Sequence, residues 1–485
     1  MKLTDVLKNV HYEVLKGSCE IEIASVAYDS RKVDAGALFV CVSGFKTDGH
    51  QFIGQAVEKG AIAVVVTDKS VDAQCENVIF VSDARETLAL ISANWFEHPA
   101  QKLTIIGVTG TKGKTTVTHM LKSILNCAGY KVGMIGTLGA YIGEERIPTG
   151  NTTPESYELH SLFDRMLKNG CQYVVMEVSS QALKLKRTYG ISFDYAAFLN
   201  LSPDHISENE HKDFDEYLQC KKLLFDQAKK IIVNIDDSHW RDMMGNHTGY
   251  MTRSCNSEAD FMASSIQNLW QEAFLGVTFL VSGKFQAKIS LSVPGRFNVE
   301  NALVAIAIAH DVGIEQAHVV DGLADVSVKG RTQLIKETAH FATFIIDYAH
   351  NELSMENLLG MLKDYHPKRL ICLFGGGGNK PKQRRFDMGK IAGKYADCTI
   401  LTTDNPRFES VENINEEIIE GLNVYDGKYK IILDREEAIH YLIDNSSKGD
   451  IVALIGKGHE EYQDIRGTKF YFSEEQVIKK YLMTK

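Results

Sequence analysis

The tightest constraint on this chain is the stretch Gly107-Val108-Thr109-Gly110-Thr111-Lys112-Gly113-Lys114-Thr115-Thr116. It closes an apolar run at 103–109 (LTIIGVT) and opens a stretch with apolar residues at 117, 120, 121, 124 and 125. That spacing is one face of a helix, and Gly129 supplies its stop. A buried strand passing through a glycine turn into a helix belongs to a parallel α/β sheet. Glycines let backbone N–H groups approach phosphate oxygens, and the helix N-terminus adds a positive dipole. Lys114 adds a point charge for the outer phosphates, and the Thr115 hydroxyl suits Mg²⁺. The common phosphate loop wants glycine five residues before Gly113, where this chain has Val108, so the loop is a variant. The guanine-reading Asn-Lys-x-Asp pattern is absent, which disfavours a GTPase.

The remaining pattern fits three α/β domains, since 485 residues exceed what one hydrophobic core supports. Residues 1–100 alternate short strands (37–42, 61–67) with turns, and 94–101 read as a linker. Residues 101–331 form a central parallel-sheet domain with further strands at 173–178, 195–201 and 230–235 and a helix from about Asn298 to His310. Residues 332–485 form a Rossmann-like domain with strands at 343–348, 370–374, 399–403, 431–433 and 451–455. The formal charge of −10 argues against a nucleic-acid surface. No apolar run approaches the ~20 residues of a membrane span. Residues 1–8 build no apolar signal segment. Nine widely spaced cysteines without a CxxC pair read as buried reduced thiols of a cytoplasmic protein.

Several residues carry chemistry by position. Glu177 ends a buried strand beside the phosphate-loop strand, a place suited to Mg²⁺. Asp404-Asn405-Pro406-Arg407 follows strand 399–403 at the carboxyl end where ligands of parallel sheets bind. The planar fork of Arg407 matches a carboxylate. Asn298 opens a helix and could cap it.

TGTKGKT at 109–115 resembles the TGTNGKT loop of the Mur ligase family. NTTP at 151–154, EVSS at 177–180, NLSPDH at 200–205, GRFNVEN at 295–301, DYAH at 347–350, DNPR at 404–407 and GKGHE at 456–460 follow in that family's order. DSR at 29–31 and LFV at 38–40 extend the likeness nearly to the N-terminus, and the chain is most similar to the branch that adds the third peptide residue. The resemblance implies an N-terminal UDP-binding domain, a central ATPase domain and a C-terminal amino-acid domain. It implies ATP and Mg²⁺ as cofactors and a UDP-muramoyl dipeptide and a diamino acid as substrates; a monomer that touches neither nucleic acid nor membrane is expected.

Residue by residue, the resemblance assigns ATP to Gly110, Thr111, Lys112, Gly113, Lys114, Thr115, Thr116, Asn298, Arg331 and Asp347. It assigns metal to Thr115, Glu177, His205 and Lys221, the lysine as a carbamate formed with CO₂. Ser30, Phe45, Lys46 and Thr47 match the uridine-diphosphate region, and Thr152, Thr153, Ser179 and Arg187 the muramoyl-peptide site. Lys380, Asp404, Asn405, Arg407, Gly456 and Glu460 match the amino-acid site, where Arg407 would select the distal carboxylate of meso-diaminopimelate and Glu460 its ammonium. The chain departs from the family pattern at Lys112 (usually Asn), Gln181 (usually His), Asn351-Glu352 (usually with Pro) and Lys380 (usually Arg). The readings weighed against this one are an L-lysine-adding enzyme, a folylpolyglutamate synthase-like ligase and a non-catalytic nucleotide-binding regulator.

Overall fold

The computed structural model describes every residue except 45, 46, 205, 208, 209 and 272. The chain forms two compact units. One comprises Met1–Met262, Gly283–Phe285 and Leu303–Val319, the other Ala263–Ser282, Gln286–Ala302 and Val320–Lys485.

The first unit holds two sheets. The smaller has the order Tyr12–Lys16, Asn77–Val81, Ala61–Val66, Ala37–Val40, Ser25–Ala27. All of its pairings are parallel except that of Tyr12–Lys16. Its three central strands are almost wholly buried, as parallel strands covered on both faces must be. The second sheet places Thr104–Thr109 between Tyr173–Glu177 and Phe193–Phe198, both parallel to it. Ala228–Asn234 and Met251–Ser254 continue the sheet on one side, Val132–Gly136 on the other. The neighbours of the first strand therefore come from later chain on both sides, which opens a crevice at its carboxyl end. Helix Lys114–Cys127 buries Val117, Met120, Leu121, Ile124 and Leu125, the face read from the spacing. Each such side chain contributes roughly 1.5–3 kcal/mol of hydrophobic stabilisation.

In the second unit a six-stranded sheet has the order Gln333–Ile335, Thr343–Asp347, Asp450–Ile455, Arg369–Phe374, Cys398–Leu401, Tyr429–Ile431. Only the first pairing is antiparallel. Helices Glu352–Lys363, Lys382–Tyr395 and Val411–Leu422 pack with Ile345, Cys372 and Ala453. Helices Arg435–Asn445 and Glu474–Leu482 pack with Ile346, Ile371 and Val452. Successive strand residues point to opposite faces, so the sheet is covered on both sides in the Rossmann manner.

Four expectations need correction. The segment 94–101 is not all linker: helix Ala84–Trp95, capped by Asp83, runs through its start, and Pro99–Lys102 forms a 3-10 turn. The strand expected at 431–433 is Tyr429–Ile431, an exposed edge strand. Helix Arg296–Val312 starts before Asn298, so Asn298 is not its cap. Of the cysteines Cys127 is exposed and Cys255 and Cys398 are half-buried; the other six are buried, and all nine are free thiols. Among the described residues no helix is long and apolar enough to cross a membrane.

Candidate active site

The phosphate turn is shaped by close packing. A Cβ on Gly110 would lie 2.9 Å from Leu199 Cβ and 3.2 Å from Asn200 N. Gly113 has φ +91°, which favours glycine, and directly precedes helix Lys114–Cys127 without capping it through a side chain. The first-turn N–H groups are thus oriented for an anion with no capping side chain in competition. Gly107 serves packing instead, since a Cβ there would meet the Phe193 ring at 2.8 Å. Asn200 clamps the turn. Its carbonyl accepts from Thr111 N at 2.9 Å, its side-chain oxygen accepts from Lys112 N at 2.9 Å, and its amide donates to Lys112 O at 3.1 Å. Lys114 Nζ donates to Gly110 O at 2.8 Å and Thr111 O at 3.2 Å. The Lys112–Asp204 pair at 3.1 Å is largely exposed and adds little stability.

Glu177 is 1% exposed at the end of its strand. Its Oε1 accepts from Thr115 Oγ1 at 3.0 Å and Thr137 N at 2.9 Å, and its Oε2 accepts from Thr137 Oγ1 at 3.1 Å. Gly136 makes room for the carboxylate, because a Cβ there would come within 2.3 Å of Oε1. A buried carboxylate against the phosphate-loop threonine offers the hard oxygen donors Mg²⁺ takes, so these residues fit that ion. His205, another expected metal ligand, lies outside the described residues.

Lys221 is 1% exposed, whereas the adjacent Lys222 is half-buried. Its Nζ donates to Gly110 O at 3.1 Å, the carbonyl that Lys114 also engages, and lies 4.6 Å from the Tyr217 ring centre. Burial, and then the charge of Lys114, hold its ammonium well below the usual lysine range. Tyr217 OH lies 3.1 Å from Thr111 Oγ1, and burial pushes the phenol up to about 12.

Lys114 and Lys221 line a cleft of about 220 Å³ with Asn151, Thr152, Ser179, Ser180, Gln181, Arg187, Glu210 and His211. Thr153 is buried beneath it, donating to Glu177 O at 2.9 Å and accepting from Ser179 N at 3.1 Å. Arg187 is 7% exposed; its Nε donates to Glu155 Oε1 at 2.8 Å and its Nη1 to Thr153 O at 3.0 Å. In the smaller sheet's domain, Ser30 is buried and donates to Gln55 Oε1 at 2.7 Å, and Thr47 O accepts from Gly44 N at 2.8 Å. Phe45 and Lys46 lie outside the described residues.

The second unit carries the remaining residues. Asn298 is buried, donating to Pro294 O at 2.7 Å and accepting from Asn301 Nδ2 at 3.0 Å. The Arg331 guanidinium lies 5.1 Å from the Tyr348 ring centre. Asp347 accepts from Thr332 N at 2.6 Å and Ala349 N at 2.7 Å; burial raises its carboxyl above the usual range, against the pull of Arg331. Asn405 Nδ2 donates to Glu460 Oε2 at 2.9 Å. Arg407 Nη1 donates to Gly378 O at 2.7 Å, and its Nε lies 3.7 Å from Asp464 Oδ2. Gly456 has φ +108°, and a Cβ there would press on Asp404 Oδ2 at 3.1 Å. Lys380 is exposed on the loop that follows strand Arg369–Phe374.

Five residues escaped the sequence reading: Gly136, Thr137, Asn200, Lys457 and Arg385. Asn200 and Lys457 were visible only as parts of motifs. The fully buried Lys457 donates to both Asp404 Oδ1 and Asn405 Oδ1 at 3.1 Å. Arg385 donates to Gly377 O, Glu409 and Glu417, bracing the loop that holds Lys380.

Comparison with known proteins agrees with this geometry. Residues 22–96 match the model described as Mur ligase family, catalytic domain. Residues 108–309 match the Mur ligase middle domain, and 330–458 the Mur ligase, glutamate ligase domain. A UDP-N-acetylmuramoyl-L-alanyl-D-glutamate--2,6-diaminopimelate ligase of Caldanaerobacter subterraneus subsp. tengcongensis is 43% identical over 99% of both chains. The chain belongs to the Mur ligase family. An enzyme of the same description from Clostridium perfringens is 40% identical over 99% of both chains. A solved 2,6-diaminopimelate ligase structure covers 100% of this Mur ligase and 99% of its own chain, with TM-score 0.74 and 27% identity. A Mycobacterium tuberculosis folylpolyglutamate synthase covers 76% of this chain and 92% of its own, at TM-score 0.60 and 16% identity, a likeness of fold alone.

Proposed function

We propose that this Mur ligase is a cytoplasmic, monomeric, ATP-dependent ligase that joins meso-diaminopimelate to UDP-N-acetylmuramoyl-L-alanyl-D-glutamate in peptidoglycan precursor synthesis. The observation that carries the reading is the single cleft shared by Lys114, Lys221, Ser179 and Arg187 at the mouth of the phosphate turn. It sets a phosphate-binding turn beside hydroxyls and a guanidinium suited to sugar and carboxylate oxygens. The relatives' names favour the same acceptor and amino acid. The proposed domains are 1–100 for the UDP-muramoyl group, 101–331 for ATP and 332–485 for the amino acid.

In this mechanism the γ-phosphoryl group of ATP passes to the terminal carboxylate of the acceptor, giving an acyl phosphate and ADP. The amine of the incoming amino acid attacks the carbonyl, and phosphate leaves from the tetrahedral intermediate. Lys114 neutralises charge on the transferred phosphoryl group, and Arg187 and Ser179 orient the acceptor. Thr115, Glu177, His205 and Lys221 would hold Mg²⁺, which supplies charge neutralisation when bound. Asn298, Arg331 and Asp347 are assigned to ATP, Ser30, Phe45, Lys46 and Thr47 to the uridine diphosphate.

We assign Lys221 as the site of carbamylation. Burial and Lys114 favour the neutral amine, whose nitrogen adds to CO₂, losing a proton to solvent and leaving an anionic carboxylate. With ¹³C-bicarbonate, the wild type is expected to show a carbamate carbon resonance that Lys221→Arg lacks; the same resonance in both variants would remove this assignment.

The reading itself is tested by supplying ATP, Mg²⁺ and the UDP-muramoyl dipeptide with meso-diaminopimelate, L-lysine or other diamino acids, and weighing the product. The expected result is a mass gain of one diaminopimelate residue with release of ADP and phosphate. Product with L-lysine only would transfer the assignment to the lysine-adding branch, and no product with any acceptor would favour a regulator.

A further inference from the structure

Three side chains assigned to the incoming amino acid converge on one residue that carries no such assignment. Lys457 is fully buried. Its Nζ donates to Asp404 Oδ1 and Asn405 Oδ1, each at 3.1 Å, and lies 3.9 Å from Glu460 Oε2. Two of the three N–H donors of this ammonium are taken by Asp404 and Asn405, and Glu460 is held by charge at ion-pair distance. Asn405 adds a link of its own to Glu460 through Nδ2, and Tyr462 OH donates to Glu460 Oε1 at 3.4 Å. The orientation of Asp404, Asn405 and Glu460 is therefore set by a shared cation beneath them.

Two further features fix the platform that bears them. Buried Arg435 donates to Glu474 Oε1 at 3.0 and 2.7 Å. It also donates to Thr403 O at 3.3 Å and Ile455 O at 3.0 Å, the carbonyls just before Asp404 and Gly456. The two segments that carry the amino-acid contacts are thus tied at their roots. Gly456, with φ +108°, then turns the chain so that Lys457 lies under the 404–407 turn.

The charges are as telling as the distances. Asp404 and Glu460 bring two negative charges and Lys457 one positive, leaving one net negative charge to meet a single ammonium. Without Lys457, the two carboxylates would repel each other, which favours their rotation away from the site. We infer that Lys457 is a positioning residue for the amino-acid site. It holds Asp404, Asn405 and Glu460 in the arrangement that receives the ammonium of the incoming diamino acid. This rests on the ligase reading given above.

The test measures steady-state kinetics of full-length Lys457→Met, with each of the three substrates varied in turn. The expected outcome is a rise of at least about ten-fold in KM for meso-diaminopimelate, with KM for ATP and for the UDP-muramoyl dipeptide unchanged. Equal rises for all three substrates, or a fall in kcat alone, would overturn the inference. Lys457→Gln keeps an N–H donor and nearly fills the space, and carries the same measurement where the methionine variant does not fold. A double-variant cycle with Glu460→Gln separates positioning from general stability. If Lys457 acts through Glu460, the double variant should be no worse than the more damaged single variant; multiplying effects count against it. A wild type that makes no product with any diamino acid would instead refute the ligase reading.

Discussion

Lys114→Ala should abolish amino-acid-dependent phosphate release, with kcat falling by roughly a thousandfold or more, while the far-ultraviolet circular dichroism and melting midpoint stay close to wild type. The fold should survive because the turn owes its shape to other groups. Gly110 packs against Leu199, Asn200 holds both sides of the loop by three hydrogen bonds, and Gly113 supplies the left-handed entry to the helix. The Lys114 Nζ bonds to Gly110 O and Thr111 O lie on the rim of the turn. Its loss therefore removes charge where the phosphoryl group would sit and leaves the scaffold in place. The carbamate resonance assigned to Lys221 should weaken in the same variant. Lys114 disfavours the charged ammonium of Lys221 and would attract the carbamate anion, so its removal works against the modification twice. A variant that keeps near-wild-type turnover would show that this lysine is not the residue serving the phosphoryl group.

Much of this arrangement was legible because local pattern and burial coincide there. The apolar run at 103–109 forms strand Thr104–Thr109, and the spacing from Val117 to Leu125 marks the face the helix buries. Glu177 ends a buried strand and the 404–407 turn follows one, so their place at carboxyl ends could be read directly. Residues that act through distant partners were not legible. Thr137 is defined by Glu177, forty positions later, and Asn200 by a loop nearly ninety positions earlier. Lys457 and Arg385 look like surface residues in GKGHE and KPKQRR, yet both are buried by acceptors from other elements. Asn298 has the composition of a cap, but Gly295, at φ +99°, lets the helix begin earlier and turns its side chain to Pro294 O. The strand at Tyr429–Ile431 was misplaced because all three of its residues are exposed, so the apolar run at 431–433 marks no buried face.

Arg407→Ala should discriminate between amino acids rather than disable the enzyme at large. Arg407 has φ +51°, and its backbone is fastened independently of its side chain: its N–H donates to Asp464 O at 3.0 Å and its carbonyl accepts from Arg466 N at 2.7 Å. The turn should thus persist when the guanidinium is removed. That guanidinium is oriented by Gly378 O and by Asp464 and stays partly exposed, as the proposed carboxylate contact requires. Losing a charge-assisted, forked contact is expected to lower kcat/KM for meso-diaminopimelate by roughly a hundredfold, equivalent to about 2.7 kcal/mol. L-Lysine has no distal carboxylate, so whatever turnover it supports should change by no more than about threefold. Arg407→Lys should not restore the loss, because an ammonium keeps the charge without the planar fork. Equal losses for both amino acids would mean that Arg407 shapes the turn and does not read the carboxylate.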